Sequence, residues 1–132
     1  MRLLIDTHYV IWLTTDHSRI TALEWDALNN PEHELMASTI SIWEMRLKWN
    51  SLHVSGDRKG WIDPIAAMHY LDSIQMKILV LSPETAATPL ATPIGHRDPF
   101  DELLLVQAQQ TGARLFTRDR VLQAHPLVYQ SS

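Results

Sequence analysis

An α/β fold around a parallel sheet is predicted by two features of this chain. Short, wholly apolar runs alternate with helical stretches along its length, the pattern of βα units. Two strands lead into acids: the wholly apolar Leu3-Leu4-Ile5 into Asp6, and Arg114-Leu115-Phe116-Thr117 into Arg118-Asp119. Continuous rather than alternating apolar character suits strands buried on both faces, as parallel strands are. Open α/β sheets hold their ligands just beyond the carboxyl ends of the strands. The acids therefore stand where chemistry is expected.

The elements follow in order. Leu3-Leu4-Ile5 is the first strand, and Asp6 either serves a site at its end or caps the next helix, Tyr9 to Leu13. A second helix runs from Ser18 to Asn29, with Ile20, Leu23, Ala27 and Leu28 inward, and Asn30-Pro31 stops it. Leu35-Met36-Ala37 is another buried strand. Ser38 caps a helix from Thr39 to Trp49 whose apolar stripe is Ile40, Trp43 and Leu47. Glu44 lies beside that stripe, one turn before Lys48, a spacing that equally describes a solvated surface pair. Residues 51–60 are polar and punctuated by glycine, hence a loop. Asp63-Pro64 opens a helix that carries Ile65, Met68, Leu71 and Ile74 inward. Lys77 to Leu81 is a strand, and the proline-rich 83–93 segment holds one short helix.

Pro99 suits the first position of a helix, where its missing N–H is no loss. Asp98 is then the N-cap, and Asp101, three residues on, shares its face at the helix mouth. Leu104, Leu105 and Ala108 continue the helix into the core until Gly112 stops it. Arg114 to Thr117 is a strand, and Leu127-Val128-Tyr129 supplies a last edge strand. An ordinary, well-capped helix would also carry acids at these positions. Only partners elsewhere distinguish the two readings.

Composition narrows the class. The chain has 132 residues, 45% of them hydrophobic and 20% charged, which describes one globular domain spanning 1–132. It has no cysteine, which excludes disulfides and thiolate metal sites and suits a reducing cytoplasm. Three apolar residues before Asp6 are too few for a signal peptide, and no apolar run approaches membrane-spanning length. The formal charge of −4 argues against nonspecific binding of nucleic acid by bulk electrostatics, but a carboxylate-rich nuclease site would itself be negative.

Taken together, Asp6 and Asp119 follow separate strands, Glu44 lies on a helix flank, and Asp98 and Asp101 stand at a helix front. Carboxylates about 6 Å apart repel by roughly 3 kcal/mol at an effective dielectric near 20. If these acids converge, raised pKa values or bound divalent cations must hold them, and oxygen-only ligands suit Mg²⁺ or Mn²⁺. Hydrolysis of a phosphodiester uses such a centre.

Four ordered motifs carry a resemblance. Asp6-Thr7-His8, Ser41-Ile42-Trp43-Glu44 with Lys48, His96-Arg97-Asp98-Pro99-Phe100-Asp101, and Thr117-Arg118-Asp119 resemble those of PIN domains, and more narrowly of VapC-type toxins of type II toxin–antitoxin pairs. The resemblance spans residues 2 to 129. It implies a PIN-like three-layer α/β/α sandwich with a central, mainly parallel sheet, Mg²⁺- or Mn²⁺-dependent endoribonuclease activity, homodimer formation and inhibition by a cognate antitoxin. Carried over residue by residue, it implies Asp6, Glu44, Asp101 and Asp119 as catalytic, metal-binding acids, with Asp98 as a further ligand or a helix cap. Thr117 would orient Asp119 or a metal-bound water. Arg97, Arg118 and Arg120 would meet substrate phosphate or serve as structural ion pairs. A non-catalytic interaction module and a metal-dependent phosphatase are the rival readings. The phosphatase would need a second acid two residues after Asp6, where this chain has His8.

Overall fold

The computed structural model describes residues 1–95 and 98–130. Four parallel strands form one sheet in the order β3-β2-β1-β4, where β1 is Arg2–Ile5, β2 Glu34–Ser38, β3 Lys77–Leu79 and β4 Arg114–Phe116. The register pairs Leu4 with Met36 on one side and with Leu115 on the other. The tail adds a single parallel bridge, Leu115 to Val128, in place of the expected last strand.

Strand residues alternate between two cores, as the pleat requires. Leu3, Ile5, Ala37 and Phe116 face helices α1 (Thr7–Thr15), α2 (Ala22–Leu28) and α4 (Pro64–Ser73). Leu4, Met36 and Leu115 face α6 (Pro99–Thr111) and the segment around α5 (Pro83–Ala87). Helix α3 (Thr39–Asn50) sends Met45 to the first core and Ile40 to the second. The result is the expected α/β/α sandwich.

Two helix faces differ from their apolar spacing. In α3 the inward positions are Ile40, Ser41 and Met45, while Trp43 and Leu47 are 43% and 41% exposed. The stripe that turns inward, 40-41-44-45, holds Glu44, and Lys48 one turn on is exposed. The apolar count therefore pointed to the neighbouring face. In α4 Pro64, Ala67 and Leu71 are buried, whereas Ile65 and Met68 stay exposed on the flank toward α3, as does Ile74 just beyond the helix. The second helix also begins later than its apolar spacing suggests. Asp16 caps a short 3₁₀ turn, His17–Arg19, and Thr21 then starts α2 in a reciprocal capping box with Glu24.

Candidate metal and nuclease centre

Each acid's position follows from the element that carries it. Asp6 ends β1: its backbone N–H donates to the Phe116 carbonyl at 3.0 Å, extending the sheet by one rung. Its side chain also caps α1, accepting from the Tyr9 N–H at 3.3 Å. Capping and a place at the strand end thus coincide in one residue. Asp119 lies just past β4. The two ends are tied by Thr117, whose hydroxyl donates to Asp6 Oδ2 at 2.5 Å and accepts from the Asp119 N–H at 3.1 Å. Asp119 Oδ1 in turn accepts from the Val121 N–H at 2.9 Å, so this exposed carboxylate is held by a local turn.

Glu44 reaches the same edge from α3. The Thr7 hydroxyl donates to Glu44 Oε1 at 2.8 Å and lies 2.9 Å from the buried Ser41 hydroxyl, while Lys48 Nζ stands 3.4 Å from Oε2. Thr7 and Ser41 support Glu44 although neither is itself an acid. Their signal was a small hydroxyl residue next to, or one turn before, each acid.

Asp98 caps α6, accepting from the N–H groups of Phe100 and Asp101 at 2.9 and 3.3 Å. Gly112, in the left-handed region at φ 69°, closes α6 and turns the chain into β4. Because that connection is short, α6 runs back against β4. About 20 Å of helix returns its N-terminus to the carboxyl edge of the sheet. The Phe100 ring meets Trp43 there, edge to face at 5.2 Å, which sets the mouth of α6 beside the Glu44 turn of α3.

Asp6 is 6% exposed, and burial pushes its carboxyl above the usual range against the hydrogen bonds from Thr117 and Tyr9 and the nearby His8. Among the described residues no Lys or Arg forms an ion pair with it. Glu24 has the opposite balance. Burial raises its pKa, but hydrogen bonds from Arg118, Tyr9 and the Thr21 backbone outweigh it and hold the carboxyl at about 2.

Arg118 therefore has a structural setting. Its guanidinium binds Glu24 through Nε at 3.0 Å and through Nη2, donates to the Arg19 carbonyl at 2.8 Å, and covers the Trp12 ring at 4.4 Å. In the folded chain this arginine is ion-paired with Glu24. Arg120 is exposed beside Asp119. Arg97 and His96 lie outside the described residues.

The donor chemistry fits a hard divalent cation: every acid offers oxygen, and buried Asp6 carries a charge that a bound cation would offset. Among the described residues, no three acidic or histidine side chains are gathered closely enough to hold an ion as they stand. Asp6 and Asp119 stand past the ends of β1 and β4, Glu44 meets Thr7 beside Asp6, and Asp98 and Asp101 stand at the mouth of α6 beside the Glu44 turn.

A family model described as the PIN domain matches residues 3–126. The chain is similar to Ribonuclease VapC22 of Mycobacterium tuberculosis (strain ATCC 25618 / H37Rv), at 27% identity over 127 residues, covering 92% of this chain and 90% of the relative. It also resembles the crystal structure of VapBC2 from Rickettsia felis bound to a DNA fragment from their promoter. That match has a TM-score of 0.55 and 19% identity, and covers 97% of this chain and 96% of the other. At that identity the likeness establishes the α/β/α fold.

Proposed function

Since the chain belongs to the PIN domain family, we propose that it is a divalent-metal-dependent endoribonuclease, the toxin of a toxin–antitoxin pair, working at the acidic edge of its sheet. The observation that carries this reading is Asp6: a buried carboxylate at the end of a central strand, without an ion-pairing Lys or Arg among the described residues. A group placed at that cost has a use when a cation arrives. The similarity to a protein named as a ribonuclease supports RNA as the substrate.

Asp6, Asp101 and Asp119 would hold Mg²⁺ or Mn²⁺, with Glu44 and Asp98 contributing directly or through water. When bound, the metal activates water and stabilises the leaving oxygen of the phosphodiester. The chain's own contribution is orientation. Thr117 fixes one Asp6 oxygen and the Asp119 backbone together, Thr7 fixes Glu44, and the α6 cap holds the helix mouth beside α3. Such supports set the geometry that the reaction requires.

The likeness to a VapBC complex supports a cognate antitoxin as partner. A homodimer in the cytoplasm completes the proposal, and the exposed apolar flank of α3 and α4, with Trp43, Ile65 and Met68, offers surface for association. Incubation of the purified protein with single-stranded RNA tests the activity. Cleavage is expected with Mg²⁺ or Mn²⁺, loss of cleavage after chelation, and recovery on adding the metal back. Cleavage unaffected by chelation would contradict the metal-dependent reading.

A further inference from the structure

We propose that the cleft between α1, α3 and the segment before α4 takes an unpaired base of the RNA strand, stacked on Trp61, beside the phosphodiester to be cut. This inference rests on the ribonuclease reading and names how its substrate would be gripped. The cleft encloses about 90 Å³ and is lined by His8, Trp12, Lys48, Gly60, Trp61 and Ile62, among others. Among the described residues no carboxylate lines it, although His8 and Lys48 place it next to Asp6 and Glu44. His8 lies two residues past Asp6, and Lys48 lies one turn past Glu44 and pairs with it at 3.4 Å. A strand with its scissile phosphate at the acids would bring a neighbouring nucleotide to this cleft.

The lining matches such an occupant. A base has two flat π faces and an edge of donors and acceptors, and its backbone carries negative charge. Here Trp61 is 58% exposed, Trp12 forms an apolar floor with the His8 ring 5.7 Å from its own, and Lys48 supplies a cation at the side nearest Glu44. Aromatic platforms with neighbouring cations grip single strands without strict sequence demands.

Trp61 is also held in place. The Arg19 guanidinium lies over its ring at 5.4 Å. The preceding Gly60 lies so close to α3 that a Cβ there would meet the Trp49 backbone at 2.7 Å. Only glycine lets this loop press against the helix and present the indole at the cleft. An ordered platform costs less entropy on binding than a mobile one.

The test is fluorescence anisotropy with a labelled single-stranded 2′-O-methyl oligonucleotide of mixed sequence, which resists cleavage, alongside a separate cleavage assay on RNA. Trp61→Ala is expected to weaken strand binding by about fivefold to a hundredfold, the range for loss of one stacking platform, and Trp61→Phe to restore most of it. Circular dichroism of both variants checks folding. If the parent protein cleaves RNA but Trp61→Ala binds the strand as well as the parent, the inference is overturned and the ribonuclease reading stands. If the strand binds in a Trp61-dependent way but no RNA is cut, the base site stands and the ribonuclease reading falls. If Trp61→Ala instead loses only an antitoxin-tail peptide, the cleft docks protein and the inference is overturned. If the parent binds no strand at all, it is likewise overturned.

Discussion

Asp6 answers to two demands whose energetics oppose one another. As an N-cap and a sheet rung it is satisfied by the Tyr9 N–H and the Thr117 hydroxyl, yet burial penalises its charge. An acid whose pKa is raised by folding contributes stability fully below its unfolded value, near 4. That contribution is lost as pH rises through the higher folded value. In Asp6→Asn the single amide oxygen can keep the cap on the Tyr9 N–H, the amide NH2 then faces the Thr117 hydroxyl as a donor, and the charge is gone. Metal-free thermal melts at neutral pH should therefore show Asp6→Asn at least as stable as the parent, with the difference closing as pH falls toward 4. RNA cleavage by that variant should drop more than about 100-fold, because even outer partners of metal ligands cost 10–100-fold when removed. A second substitution isolates the bridge. Thr117→Val deletes the hydroxyl shared by Asp6 and Asp119, and should cost about 1–2 kcal/mol in urea unfolding from the unpaired Asp119 N–H and the lost Asp6 contact. Its cleavage rate should fall about 10–100-fold.

Among the elements, α2 was the least legible in the sequence and is informative for that reason. Read by apolar spacing, Ser18 to Asn29 is one helix with Leu23 inward, but the capping box from Thr21 to Glu24 restarts it and leaves Leu23 in solvent. The Thr-x-x-Glu spacing was the signal available. Glu24 does more than cap: it receives the Tyr9 hydroxyl from α1 and the Arg118 guanidinium from the segment that carries Asp119. It thereby joins α1, α2 and the end of β4. A depressed carboxyl pKa gives stability that is present above the unfolded value, about 4.5, and lost as pH falls toward the folded value of about 2. Glu24→Gln should lower stability on the order of 1–2 kcal/mol at neutral pH, allowing for the pair's partial exposure. It should also flatten the acid limb of the unfolding profile between pH 4.5 and 2. Urea titrations across that range check both. The strands were read nearly in full, because buried parallel strands are apolar runs with sharp ends. The faces of α3 and α4 were not. Glu44 occupies a partly buried position that an apolar count assigns to solvent, so an acid stands where the expected stripe would have an apolar residue. The order of the acids was legible from the strand ends and the helix cap, whereas their spacing in three dimensions depends on tertiary packing that one sequence does not encode locally.

At the scale of the molecule, two layers of helices leave one edge of the sheet rich in carboxylate, with the apolar flank of α3 and α4 nearby. An antitoxin that silences such an edge is expected to place an Arg or Lys among Asp6, Glu44, Asp101 and Asp119. The exposed Trp43, with Ile65 and Met68, would seat the rest of its tail in the apolar groove between α3 and α4. Raising Mg²⁺ or Mn²⁺ in a competition titration should weaken the antitoxin's hold. An antitoxin with that cation changed to Ala should no longer suppress cleavage, and equal inhibition by the variant would place the contact elsewhere. The central claim is that the edge carboxylates, dispersed as they stand, form one metal centre. Calorimetric titration of Mn²⁺ into the parent, Asp6→Asn and Asp119→Asn proteins tests it most directly. Saturable binding by the parent, weakened about tenfold or more in each variant, is the predicted result. Equal Mn²⁺ binding by all three proteins would contradict it.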